Sequence, residues 1–263
     1  MTFPRFNAAG ALAALFVWIG PVPHPRRRLF AARVGNLIFL LAALAPAQQP
    51  DQAAVIARID AAVRYRYDNV LGFTDIEHYA VFRGKDETHP AAEMTVKTTY
   101  RKGAGKSYVI LSQSGSSLIM HFGLQPLLDN EKAVNEPGNV EHSWFDSENY
   151  EMKLHPGGLQ PLNGRSCFVL ETKARQKAPN MIDGTLWVDA RDGQIAKIDG
   201  IASKSPSPFA GTTHMMREYA NMDGFPMATH ARAESSSFLF GRTVVTIDYS
   251  DYKLQIAGAP GSK

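Results

Sequence analysis

Hydrophobic residues recur every four positions over residues 51–70, where Val55, Ile59, Val63 and Tyr67 fall on one face and Arg58, Asp60, Arg64 and Arg66 project elsewhere. That spacing predicts one amphipathic helix that packs its apolar stripe against the rest of the molecule. After Gly72 the period drops to two. Alternation at 79–82, 94–100 and 107–112 predicts strands, and Lys102-Gly103-Ala104-Gly105 predicts the hairpin turn between the second and third. Residues 117–134 break the alternation, and Leu118, Phe122, Leu127 and Leu128 suggest a helical or irregular lid interrupted at Pro126. From residue 150 the strand pattern resumes, at 150–154, 167–173, 184–189, 195–201, 213–220, 227–234 and 243–252. Pro156-Gly157-Gly158, Asn163-Gly164, Arg191-Asp192-Gly193 and Asp223-Gly224 punctuate these segments as turns. A helix followed by many consecutive strands with short turns predicts a mainly β (α+β) fold: one antiparallel sheet curled toward a barrel, with helices laid against it.

The N-terminus follows a different rule. Its first 50 residues hold no acidic residue, and their five charges are all arginines: Arg5, Arg26, Arg27, Arg28 and Arg33. A positive stretch at 26–33, a short apolar run at 37–44 and the small-x-small triplet Ala45-Pro46-Ala47 predict a cleavable export signal over 1–47 and a single domain over 48–263. The run at 37–44 is too short for a hydrocarbon core that takes roughly 20 apolar residues to cross. Residues 8–19 form a second apolar run, which reads either as a short anchor or as an over-extended start, and Arg27-Arg28-Leu29-Phe30 also fits the core of a twin-arginine signal.

Removing the signal changes the charge balance. Without its five arginines, 28 Lys and Arg fall to 23 against 25 Asp and Glu, so the formal +3 becomes about −2. Nucleic-acid binding, which needs a basic footprint on the folded domain, loses its main support. A single cysteine, Cys167, excludes an internal disulfide and a Cys-based zinc cluster. About 216 residues remain, enough for one well-buried core without staples.

In order and spacing, several elements between 149 and 252 resemble one known family. They are Asn149-Tyr150, Gly164-Arg165-Ser166-Cys167, Gly184-Thr185-Leu186-Trp187-Val188-Asp189 with Asp192-Gly193, and Ser205-Pro206-Ser207-Pro208-Phe209. Arg217-Glu218-Tyr219, Gly224-Phe225-Pro226 and Phe240-Gly241 leading to Asp248-Tyr249-Ser250-Asp251-Tyr252 follow. Together they resemble the periplasmic outer-membrane lipoprotein-sorting proteins of the LolA-like type. The resemblance implies an incomplete antiparallel barrel with helices covering its concave face, and a cavity between them for acyl chains or another lipid. It also implies a periplasmic location, and leaves room for an inner- or outer-membrane receptor. Relatives of this fold also serve as envelope sensors, so a regulatory or scaffold module that binds a protein partner stays open beside the carrier.

Alternate positions on the later strands are the candidates for cavity lining: Phe168 and Leu170, Leu186 and Val188, Phe238 and Phe240, then Val245, Ile247 and Tyr249. Trp144 and, in the lid, Phe122 join them; simple core packing is the competing role for each. His214, Met215, Met216, Met222, Met227 and His230 contain the atom types of a soft metal site. Strand alternation separates Met215 from its neighbours, however, and methionine is an ordinary core filler, so no metal or other cofactor is expected. Cys167 precedes the apolar run Phe168-Val169-Leu170 and reads as a buried small residue. Ser114-Gly115-Ser116 lacks a nucleophile elbow, and no His-Glu-x-x-His or phosphate-cradling loop occurs, so no catalytic residue and no enzymatic activity are expected.

Overall fold

A computed structural model describes residues 50–205, 211–237 and 241–258. The expected signal region, Phe209, Phe238 and Phe240 lie outside the described residues.

Helix α1 (Gln52–Asn69) starts at Asp51, whose side chain accepts the Ala53 backbone N–H at 3.1 Å and satisfies one of the open donors of the first turn. It hands over directly to β1 (Val70–Arg83), which is followed by β2 (Ala92–Arg101) and β3 (Gly105–Gly115). The segment expected as a lid begins with a single helical turn, α2 (Ser117–Ile119), continues through a π-helical turn at Met120–Leu124, and ends in α3 (Gln125–Val134). Pro126 therefore does not interrupt a helix. It stands at the start of α3, directly after the π-helical turn, whose wider backbone pattern accommodates a residue with no N–H to donate. A 3-10 turn at Val140–Ser143 leads into β4 (Tyr150–Leu154), β5 (Gln160–Leu162), β6 (Arg165–Ala174), β7 (Ile182–Asp189), β8 (Ile195–Ala202), β9 (His214–Met222), β10 (Phe225–Ser237) and β11 (Gly241–Ile256).

All eleven strands join one antiparallel sheet in the order β3-β2-β1-β11-β10-β9-β8-β7-β6-β4, with β5 paired to β6. The outer strands β3 and β4 are not paired with each other, so the sheet curls without closing. Asn163-Gly164 and Asp223-Gly224 both take positive φ, at 47° and 76° and at 52° and 91°, which matches a two-residue turn to the twist of the strands it joins.

Apolar packing divides into two clusters on the same face of this sheet. Val55 and Ile59 of α1 press on Tyr150, Leu170, Leu186 and Ile198 at the β4–β8 end. Ile119, Leu124 and Leu128 of the lid segment press on Tyr79, Met94, Val96 and Ile247 at the β2–β11 end. The two helices thus plug opposite halves of the trough and leave its middle open.

Close strand approach sets one local constraint. Gly184 of β7 and Gly200 of β8 pair directly, and a Cβ on either would run into the carbonyl of the residue that precedes the opposite glycine, Asp199 or Asp183. We expect Gly200→Val to destabilise the fold by about 1–3 kcal/mol through forced strand separation. A urea midpoint unchanged from wild type would contradict this.

Candidate functional site

Between the two clusters lies a partly open cavity of about 370 Å³. Its floor is the middle of the sheet, from β8 to β11 and β1; one wall is α1 through Val63, Arg66 and Tyr67; the other is α3 through Leu127, Glu131 and Val134. Trp144 and Phe145 close one side, with Trp144 packed on Tyr67 at a centroid distance of 4.6 Å and Phe145 stacked on Tyr150 at 4.7 Å. Tyr67 is fixed in turn by donating to Glu141 Oε1 at 2.9 Å.

The lining is not uniformly apolar. In β1, alternation turns Phe73, Asp75 and Glu77 toward the interior along with Tyr79 and Val81. Opposite Asp75, β11 carries two residues against one, a bulge between the pairs Thr74–Lys253 and Ile76–Ser250, with Asp251 at φ 54°. The extra residue shifts the alternation of β11, so that Tyr252 continues the inward face of Val245, Ile247 and Tyr249.

Lys106 of β3 reaches between two acids. Its ammonium pairs with Glu77 at 2.8 Å and with Glu131 of α3, while the Tyr79 hydroxyl donates to Glu77. Burial works against all these charges. At Lys106, Glu131 and Glu77 outweigh it and hold the ammonium above its ordinary pKa; at Glu131, Lys106 and Arg217 do so and hold the carboxyl below its own. The same strand and helix are joined again where Tyr108 donates to Asp129 at 2.9 Å and receives a hydrogen bond from Gln125 at 2.6 Å. Polar ties thus fasten α3 to the sheet margin, over the apolar seat of Leu124 and Leu128.

Asp75 is treated differently. It is 2% exposed, and neither carboxylate oxygen meets a hydrogen-bond partner among the described residues. Burial, reinforced by Glu77, pushes its carboxyl up to about 7; Lys106 and the nearby Tyr252 hydroxyl, which does not complete a hydrogen bond, pull only weakly the other way. Two arginines complete the lining. Arg66 donates to the Pro226 carbonyl at 3.1 Å and to the Met227 sulfur at 3.6 Å, and Arg217 projects from β9.

Of the residues named as candidates from sequence, Trp144, Val245, Ile247 and Tyr249 line the cavity. Phe168, Leu170, Leu186 and Val188 are buried in the packed cluster under α1 instead. Phe122 lies on the outer side of the lid segment, 46% exposed. Cys167 is fully buried, and burial raises its thiol pKa. Sequence reasoning missed Asp75, Glu77, Lys106, Glu131, Arg66 and Arg217. The signal for Arg217 was present, since it shares a strand face with Met215 and Tyr219.

No family model and no curated protein matches the chain at the level of sequence. Solved structures do resemble it in chain course. A domain from Vibrio parahaemolyticus described as an outer membrane lipoprotein-sorting protein domain is 13% identical, with 80% of this chain and 95% of that one covered and a TM-score of 0.45. A DUF1329 family protein from Desulfovibrio piger is 15% identical, over 78% of this chain and 95% of its own, with a TM-score of 0.37. The structure is also similar to that of a LolA superfamily protein from Nitrosomonas europaea, at 14% identity, 77% and 92% coverage and a TM-score of 0.40.

Proposed function

We propose that the protein is a periplasmic binder of hydrophobic ligands, a carrier that holds lipoprotein acyl chains or another lipid in the trough between sheet and helices. The observation that supports this reading is the cavity itself, whose 370 Å³ falls within the range of about 300–1,000 Å³ usual for small-molecule sites. A carrier has a clear physical task. At roughly 0.8 kcal/mol per buried methylene, a chain of about sixteen carbons loses on the order of 10 kcal/mol on leaving a membrane for water. A trough with apolar walls removes most of that barrier and requires no catalytic group.

The test is native mass spectrometry of the exported protein, purified without detergent, followed by organic extraction. Lipid in near-stoichiometric amount is expected. Ala233 of β10 faces the cavity and pairs with Met215 and Val245. In Ala233→Phe the ring occupies ligand space, and bound lipid should fall at least tenfold while the far-ultraviolet circular dichroism stays that of the wild type. Equal lipid content in the variant would remove the cavity from the account.

A second reading, a regulatory or scaffold module, draws on one feature. The edge strand β3 exposes Val109 and Leu111 at 64% and 55%, with Leu118 beside it at 58%. An unpaired edge of this kind can accept a strand from a protein partner. A ligand-free, monodisperse protein in the same measurement would favour this reading over the carrier.

A further inference from the structure

One rung of directly paired residues crosses nine strands, from β4 to β2: Leu154, Leu170, Leu186, Ile198, Arg217, Ala231, Ile247, Tyr79 and Met94. The side chains of one rung share a face of the sheet. Arg217 is the only charged member, and it stands where the two apolar clusters part and the cavity opens. A hydrocarbon ligand alone gives no reason for a guanidinium at that place, because desolvating an uncompensated charge opposes folding.

No carboxylate of the described residues neutralises it at close range. Among the described residues no carboxylate oxygen lies within 4.0 Å of the Arg217 guanidinium, nor of Arg66, which enters the same cavity from α1. The acids of the lining are otherwise engaged or weakly charged. Glu77 and Glu131 both hold Lys106, and Asp75 sits in surroundings that favour its neutral form. Glu131 acts on Arg217 through space, and Tyr219 and Tyr249 stand next to it. The centre of the cavity therefore carries positive charge and hydroxyl groups, while Ile198, Ile247, Val245, Met215 and Val63 supply apolar wall on either side.

We infer that the ligand is an amphiphile with an anionic head, its carboxylate or phosphate held on Arg217 with Arg66 as the second cation, and its chain laid along the apolar wall. A guanidinium meets such a head with two parallel N–H donors, which a neutral ester or alcohol cannot match. This rests on the cavity being the lipid site, and narrows that reading from any greasy chain to a charged one.

Oleate and oleyl alcohol have the same chain and differ in the head, so they separate the two levels of the proposal. Titrated by calorimetry into delipidated full-length protein, oleate should bind at least tenfold more tightly than oleyl alcohol. In Arg217→Leu the ratio should shrink to within twofold, with binding of the alcohol retained; Arg217→Lys should keep part of the preference and controls for folding. Equal affinities in the wild type, or an unchanged ratio in Arg217→Leu, would overturn the assignment of the head while leaving the lipid site intact. Inorganic phosphate binding as tightly as oleate would overturn it as well, by showing an anion site with no call for a chain. If neither oleate nor oleyl alcohol binds, the cavity is not the lipid site and both readings fall.

Discussion

Replacing Lys106 by methionine is expected to cost about 3–5 kcal/mol of stability, the usual consequence of removing one partner from a buried ion pair. Methionine keeps the length and much of the volume of lysine, so packing is nearly conserved and the loss reports on charge. The Lys106 side chain is only 9% exposed, Glu77 1% and Glu131 18%. Without the ammonium, two carboxylates face one another across a poorly solvated gap. Urea unfolding at neutral pH measures the cost, and the double variant Lys106→Met with Glu77→Gln should recover part of it because one stranded charge is gone. Hydrogen exchange should localise the change to α3, whose Glu131 loses its tie to β3. A loss below 1 kcal/mol, or uniform exchange along the chain, would show that the triad does not hold the helix.

Asp75→Asn should do the reverse and stabilise the protein, increasingly as pH rises from about 4 to about 7 and fully above that. A carboxyl raised to about 7 binds its proton more tightly in the folded state than in the unfolded chain, where it titrates near 3.8. Its contribution is therefore fully present below pH 3.8, declines as pH rises between 3.8 and 7, and is lost above. Asparagine imitates the neutral acid and carries no charge to desolvate. The expected gain is about 2–4 kcal/mol at pH 8 and close to zero at pH 4, the lower figure allowing for screening by water in the cavity. Urea titrations of both proteins at pH 4, 6 and 8 test this; parallel pH profiles for the two would show that Asp75 ionises without strain.

These two residues also explain where sequence reading stopped. The helix at 51–70 and most strands were legible because their apolar positions follow one period without interruption. In β1 only 79–82 stood out, although the strand begins at Val70, because Asp75 and Glu77 occupy interior positions where the alternation rule expects hydrocarbon. The same inversion hid the cavity. Candidates chosen for apolarity, such as Leu170 and Leu186, proved to be the packed floor beneath α1, whereas the middle of the trough is marked by arginine, tyrosine and paired charge. Distinguishing floor from cavity required knowing which cluster each helix covers, and that depends on contacts between segments about a hundred residues apart, such as Ile59 with Tyr150 and Leu170.

Strand order carries a consequence for how the molecule is assembled. The three N-terminal strands and the eight that follow meet only along the seam of β1 with β11, where Phe73 pairs with Leu254 and Phe82 with Val244. The last of the described strands is thus an interior beam rather than a margin. Until residue 256 has been delivered, β1 has no neighbour on that side and the trough has no second half. Folding must wait for a pairing that spans most of the chain, which places this protein among slow, high-contact-order topologies. A truncation removing β11 would divide the sheet in two, whereas removing β3 would shorten it by one strand.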